Sequence, residues 1–129
     1  MTNREVADTL VRIADALEIL GESPFRANAY RNGARKVEQM ETAVSVLHAE
    51  NRLTSVPGIG SGLAEAIGQM VTTGRSDTLE QLLATVPPGL MDLISVPGLG
   101  PKRARTLYQS LGISTIGQLE EAVRSDRLA

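Results

Sequence analysis

Residues 3 to 20 carry Val6, Leu10, Ile13, Leu17 and Leu20 at steps of three and four, the apolar stripe of one helix face. Gly21 marks the end of that helix. Ser23 and Pro24 read as an N-cap and a first helical residue, opening a second helix that runs to about Met40. Residues 41 to 50 predict a third, with Ala43, Val44 and Leu47 turned inward. Helices are expected over 60 to 73 and 101 to 111, stopped by Gly74 and Gly112. Short connecting helices are expected over 78 to 85, 88 to 95 and 116 to 124. No stretch sustains period-two alternation, so the expected fold class is all-α, with little or no sheet.

The second part of the chain repeats itself. Val56-Pro57-Gly58-Ile59-Gly60 returns as Val96-Pro97-Gly98-Leu99-Gly100, forty positions on. The same offset sets Leu53 on Leu93, Ala64 on Ala104, Leu79 on Leu119 and Glu80 on Glu120. The unit reads as a helix end, a Gly-rich hairpin, a second helix and a short third one. Two copies fill most of residues 50 to 129.

The hairpin residues suggest a chemistry. Pro57 and Pro97 lack an amide hydrogen and disfavour helix in the residue before them. Gly58 and Gly98 permit backbone angles closed to other residues. Ile59 and Leu99 suit the junction between the flanking helices. Gly60 and Gly100 keep the approach to the backbone clear, and the helix that starts behind each leaves its first amides without intrahelical partners. Amides at the positive end of a helix form a small anion site, and phosphate is the natural occupant. A turn of this kind can also serve only to connect two helices.

Charge sharpens the contrast between the two copies. Net charge is −2 over 129 residues, which by itself argues mildly against a nucleic-acid partner. The basic residues are nevertheless grouped: Arg26, Arg31, Arg35 and Lys36 on the second helix, and Lys102, Arg103 and Arg105 just after the second hairpin. The first hairpin is followed by Ser61, Gly62 and Glu65, with no positive charge in that turn. The second is therefore expected to grip phosphates more strongly. Aliphatic side chains must build the core, because aromatic residues make up only 2% of the chain. With no cysteine and the single histidine His48, disulfides, thiolate chemistry and a histidine-rich metal cluster are excluded. No apolar run reaches the length of a membrane span and no signal-peptide pattern opens the chain, so a cytoplasmic protein is expected.

Both SVPGIGSGLAEAI and SVPGLGPKRARTL resemble helix-hairpin-helix motifs, which grip DNA backbones without reading sequence. With ESPFRANAYRNGARKVEQ before them and TLEQLLATVPPGLMDLI between them, the whole chain resembles the amino-terminal part of bacterial-type family X DNA polymerases, relatives of polymerase beta. The resemblance implies two small helical subdomains, each built around one hairpin, with a boundary between residues 1–85 and 86–129, and a nucleoid-associated DNA-binding module for gapped or nicked duplex. The first hairpin would hold DNA downstream of the gap and the second the upstream duplex. It marks Gly58, Ile59, Gly60 and Ser61, and Gly98, Leu99, Gly100, Lys102, Arg103 and Arg105, as DNA-binding. It assigns Arg26 and Tyr30, four apart on one helix face, to a 5′-phosphate. It further implies a monovalent cation, Na+ or K+, on the carbonyls of Thr54, Val56 and Ile59 and another on those of Ile94, Val96 and Leu99.

The same resemblance shows what this chain lacks. The family's polymerase site lies in a later palm domain with paired aspartates for two metal ions. Here Asp8, Asp15, Asp77, Asp92 and Asp126 are scattered, so no catalytic residue and no polymerase activity are expected. Of a fragment of a larger enzyme and a stand-alone derivative, the fragment is favoured, with a covalently linked palm domain expected and Met1 matching a natural amino terminus. Some relatives also remove a 5′-deoxyribose phosphate through a lysine Schiff base. The two lysine positions of that reaction are occupied here by Ala66 and Gly62. Of the two lysines in the chain, Lys102 belongs to the second hairpin, so a lyase reading rests on Lys36, on the second helix. A third reading is a structural or protein-interaction module that keeps the architecture without binding DNA.

Overall fold

The computed structural model describes residues 1–87, 89–94, 96–113 and 115–124, with the backbone alone for Val123 and Arg124. Within them the fold is all-helical and holds no strand. The elements are α1 (Asn3–Ile19), α2 (Pro24–Gln39), α3 (Val44–Ala49), a 3-10 turn (Leu53–Ser55), α4 (Ser61–Thr73), α5 (Asp77–Thr85), α6 (Leu90–Leu93), α7 (Pro101–Leu111) and α8 (Ile116–Arg124). Of the expected helix over 88 to 95, only Leu90–Leu93 are helical among the described residues, with Gly89 and Ile94 as the caps, and Pro88 and Ser95 lie outside the described residues.

α1 begins in a capping box. Thr2 Oγ1 accepts from the Glu5 amide at 3.2 Å, and the Thr2 amide donates to Glu5 Oε1 at 2.9 Å. The backbone bond to Thr2, then its side chain, holds the Glu5 carboxyl below its ordinary value. A depressed carboxylate stabilises the fold at neutral pH, and that contribution is lost as acid carries the pH through the depressed value. Glu5→Gln is thus expected to lower Tm slightly at neutral pH and to leave it unchanged in strong acid, so that the acid limb of a pH–Tm profile followed by circular dichroism flattens.

α3 starts later than its sequence pattern predicts. Asn3 on α1 donates from Nδ2 to the Thr42 carbonyl at 2.9 Å, and its Oδ1 accepts from the Val44 amide at 2.9 Å. A side chain from another helix thus pins the segment before Val44 in non-helical geometry. Val44 is fully buried as expected and Leu47 half-buried, whereas Ala43 is exposed at the cap position.

Two apolar cores share α1. Val6, Leu10, Ile13, Ala14 and Leu17 join Ala34, Val37, Val44, Leu53, Ile59, Ile67 and Met70 in the first. Ala16 and Ile19, from the C-terminal half of the same helix, join Val86, Leu90, Leu93, Leu99, Ala104 and Ile113 in the second. α1 lies along α2 on one side and receives α5 and α7 on others. Arg31 ties α2 to α1: its Nη2 lies 2.8 Å from Asp15 Oδ1 and 2.9 Å from Glu18 Oε1, and its Nε donates to Glu18 Oε1 at 3.1 Å. Burial works against the Arg31 charge, but the two carboxylates outweigh it and raise the pKa.

Candidate nucleic-acid interface

The two hairpins are near copies in three dimensions. The Val56 amide donates to the Leu53 carbonyl at 3.2 Å, and that of Val96 to Leu93 at 3.0 Å. Ile59 then bonds back to Val56 at 3.1 Å, and Leu99 to Val96 at 3.0 Å. Gly58 has φ +94° and Gly98 φ +81°, angles that favour glycine in this tight turn. Ile59 and Leu99 are buried, one in each core, and anchor the loops from beneath.

Gly60 and Gly100 differ from the turn glycines in an informative way. Both sit at the N-cap with φ −82°, and ψ is 179° in one and 175° in the other. Any residue adopts that extended conformation. A Cβ at either position would meet nothing within 4 Å. Serine, aspartate or asparagine would cap the helix better than glycine does. Folding therefore does not require these two glycines, and both are exposed. Behind them, the amides of Gly60, Ser61 and Gly62 in one copy and of Gly100, Lys102 and Arg103 in the other have no hydrogen-bond acceptor among the described residues.

The copies diverge further along. α4 has 13 residues and α7 has 11, so the closing glycines Gly74 and Gly112 stand 38 positions apart rather than forty. Ser76 accepts from the Leu79 amide at 3.2 Å, and Thr115 from the Gln118 amide at 3.1 Å, which puts the third helices 39 apart. The expected pairings of Leu79 with Leu119 and Glu80 with Glu120 are therefore displaced by one residue, because the shorter α7 ends half a turn earlier.

The basic side chains separate into different roles. Lys102 is exposed and has no ion-pair partner among the described residues. Arg103 turns back over its own hairpin, with Nη1 donating to the Gly98 carbonyl at 3.2 Å. Arg105 is half-buried against Gly21, where a methyl group would lie 2.5 Å from its Nη2. Arg35 is exposed and donates to Asn32 Oδ1 at 2.6 Å, while Arg31 is committed to Asp15 and Glu18. The basic face that the four-residue spacing of Arg31 and Arg35 suggests thus reduces to Arg35.

Arg26 lies exposed in the first turn of α2 and Tyr30, one turn on, is half-buried at the edge of the first core. Tyr30 lines a cleft of about 340 Å³ with Gly62, Glu65, Ala66, Gln69, Asp77 and Gln81. Two crossed bonds hold the α4–α5 side of it: Gln69 Nε2 donates to Asp77 Oδ2 at 2.7 Å and the Asp77 amide to Gln69 Oε1 at 2.8 Å. Neither Lys36 nor Lys102 is among the residues that line it. Sequence reasoning passes over two neighbours of this region. Phe25, the only phenylalanine, is 87% exposed beside Arg26, and its strangeness in so aliphatic a chain is the signal that could have found it. His48 is half-buried over Gly68, its Nε2 3.3 Å from Thr72 Oγ1, rather than a free surface group.

Residues 1–76 match the family described as helix-hairpin-helix domain, and residues 90–129 match the SAM-like helix-hairpin-helix tandem. The chain belongs to the helix-hairpin-helix domain family. It is 34% identical over 128 residues to DNA polymerase/3'-5' exonuclease PolX of Bacillus subtilis (strain 168), covering 99% of this chain and 22% of that protein. It is 27% identical over 108 residues to DNA polymerase lambda of Arabidopsis thaliana, covering 83% of this chain and 20% of that one. The chain thus spans about a fifth of the length of these curated relatives. The resemblance to the helix-hairpin-helix region of bacterial-type family X polymerases is borne out over nearly the whole chain. Among the described residues, no helix is long and apolar enough to cross a membrane.

Proposed function

We propose that this chain is a sequence-independent DNA-binding module of a family X repair polymerase, gripping the phosphate backbone of gapped or nicked duplex at both hairpins. One observation carries the reading: Gly60 and Gly100 have ordinary φ and open space where a Cβ would stand, in front of amides with no internal partner. A glycine that the fold does not need, repeated at the same place in two copies, suits a ligand that must come close to the main chain. No base reading is proposed, because neither α4 nor α7 presents the Arg, Asn and Gln array of a major-groove helix.

In this reading the first hairpin holds duplex downstream of a gap and the second holds the upstream duplex. Arg26 clamps the 5′-phosphate with the Tyr30 hydroxyl as second donor. The carbonyls of Thr54 and Ile59 accept no internal hydrogen bond among the described residues, and that of Val56 accepts one, which suits a monovalent cation. Those of Ile94, Val96 and Leu99 suit the same role. A cation there would supply positive charge between carbonyl and phosphate oxygens.

Titration with 5′-phosphorylated gapped duplex at two salt concentrations tests the proposal. With about two phosphates per hairpin, the log–log salt slope is expected on the order of −2 to −4, with Kd in the non-specific range of about 10⁻⁴ to 10⁻⁶ M. Absence of binding at low salt would leave the hairpins as connectors alone. Lys102→Glu is expected to weaken duplex binding by about tenfold, from the loss of one phosphate contact and the gain of a repulsive one. A charge change beside the first hairpin, such as Glu65→Lys, is expected to move affinity less. Equal shifts at the two hairpins in the same assay would contradict the ranking.

A further inference from the structure

The second hairpin helix is seated on α1. Ala16 and Ala104, both fully buried, stand with Ile19 in the second core, and small side chains on both helices allow close approach of α1 and α7. Arg105, the next residue along α7, reaches the end of α1. There Gly21 closes the helix at φ +72°, its amide bonded to the Glu18 carbonyl at 3.1 Å and that of Glu22 to Leu17 at 2.9 Å.

A methyl on Gly21 would fall 2.5 Å from Arg105 Nη2, 2.6 Å from its Cζ and 3.1 Å from its Nε. The guanidinium therefore lies over the bare face of the glycine. The last turn of α1 has no basic residue of its own, and its carbonyl end carries partial negative charge. Arg105 supplies that turn with a cation from another helix. It lines a cleft of about 410 Å³ with Glu18, Glu22 and Lys102, yet no carboxylate among the described residues is within ion-pair distance of it. Packing on Gly21 and the field of the helix end hold it, not a salt bridge.

We propose that Arg105 is a positioning residue that latches the second hairpin to α1 and so fixes the spacing of the two phosphate cradles, rather than itself touching DNA. The latch deepens the DNA-binding reading and rests on it for its consequence, though not for its geometry. Two cradles held at one spacing bind a gapped duplex with a high effective concentration for the second contact, and a loosened pair loses part of that gain.

The chain has no cysteine, so Ser45→Cys on exposed α3 surface and Ser110→Cys on α7 give a clean spin-label pair. Arg105→Ala and, separately, Gly21→Ala are expected to broaden the distance distribution between the labels. Arg105→Ala is further expected to weaken gapped-duplex binding about three- to tenfold while leaving the salt slope unchanged, because the same phosphates are contacted once bound. A distribution as narrow as the parent's in Arg105→Ala overturns the latch. So does a salt slope smaller by about one unit, which marks Arg105 as a phosphate contact. If the parent chain binds no DNA while the distribution still broadens, the latch stands and the DNA-binding reading falls.

Discussion

Replacing Gly60 and Gly100 together by aspartate is expected to raise the melting temperature slightly and abolish DNA binding. Both positions have the extended N-cap conformation that aspartate prefers, and a side chain there meets no neighbour. An aspartate would accept hydrogen bonds from the free amides of the first turn, stabilising each helix by a few tenths of a kcal/mol or more. Those amides are the proposed phosphate ligands, so the same carboxylate both occupies them and repels the incoming anion. Losing charge-assisted hydrogen bonds worth about 1.5–3 kcal/mol at each hairpin lowers affinity about 10- to 150-fold per site. From a starting Kd in the non-specific range, the double variant should show no saturable binding to a labelled gapped duplex by fluorescence anisotropy. Gly58→Asp serves as the contrast: at φ +94° it is expected to lower stability, by about 1–2 kcal/mol. A double variant that binds as the parent does, at unchanged or higher Tm, would remove the main-chain cradle from the mechanism.

Opposite signs for stability and binding are informative because the hairpin is the part most legible in sequence. Its determinants are local. Pro57 and Pro97, the turn glycines and the buried Ile59 and Leu99 each act through neighbours within a few residues, so reading along the chain recovers them. The forty-residue register holds for the same reason from Leu53 to Ala64 and slips once α7 ends two residues short of α4. Side chains that act over long separations are not recoverable in this way. Arg31 and Arg105 look like two more members of basic clusters, yet one is fixed by Asp15 and Glu18 and the other by Gly21. Asn3 delays the start of α3 from forty residues away, and no helical pattern in 41 to 50 carries that information. Gly21 itself reads correctly as a helix stop, but its second use, as a seat for a guanidinium, depends on a helix eighty residues further on.

Leu10→Ala is expected to be the most destabilising single truncation considered, and to unfold both hairpins together. Leu10 is completely buried in the first core, and removing such a side chain costs about 2.7–5 kcal/mol, with the residual cavity setting the value. For a chain of this size that corresponds to a fall in Tm on the order of 10–20 °C. The more discriminating part is where the loss is felt. Leu10 touches only the first core, but the helix that carries it also supplies Ala16 and Ile19 to the second. If α1 melts as one element, the second core loses one wall when the first gives way. NMR amide signals of Gly74 and Gly112, which close the two hairpin helices, report each half separately. Both are expected to disappear over one transition, in the parent and in Leu10→Ala alike. A Gly112 signal that persists to the parent's Tm while that of Gly74 melts early would mean that α1 frays in the middle, and the spacing of the two cradles would then owe nothing to it.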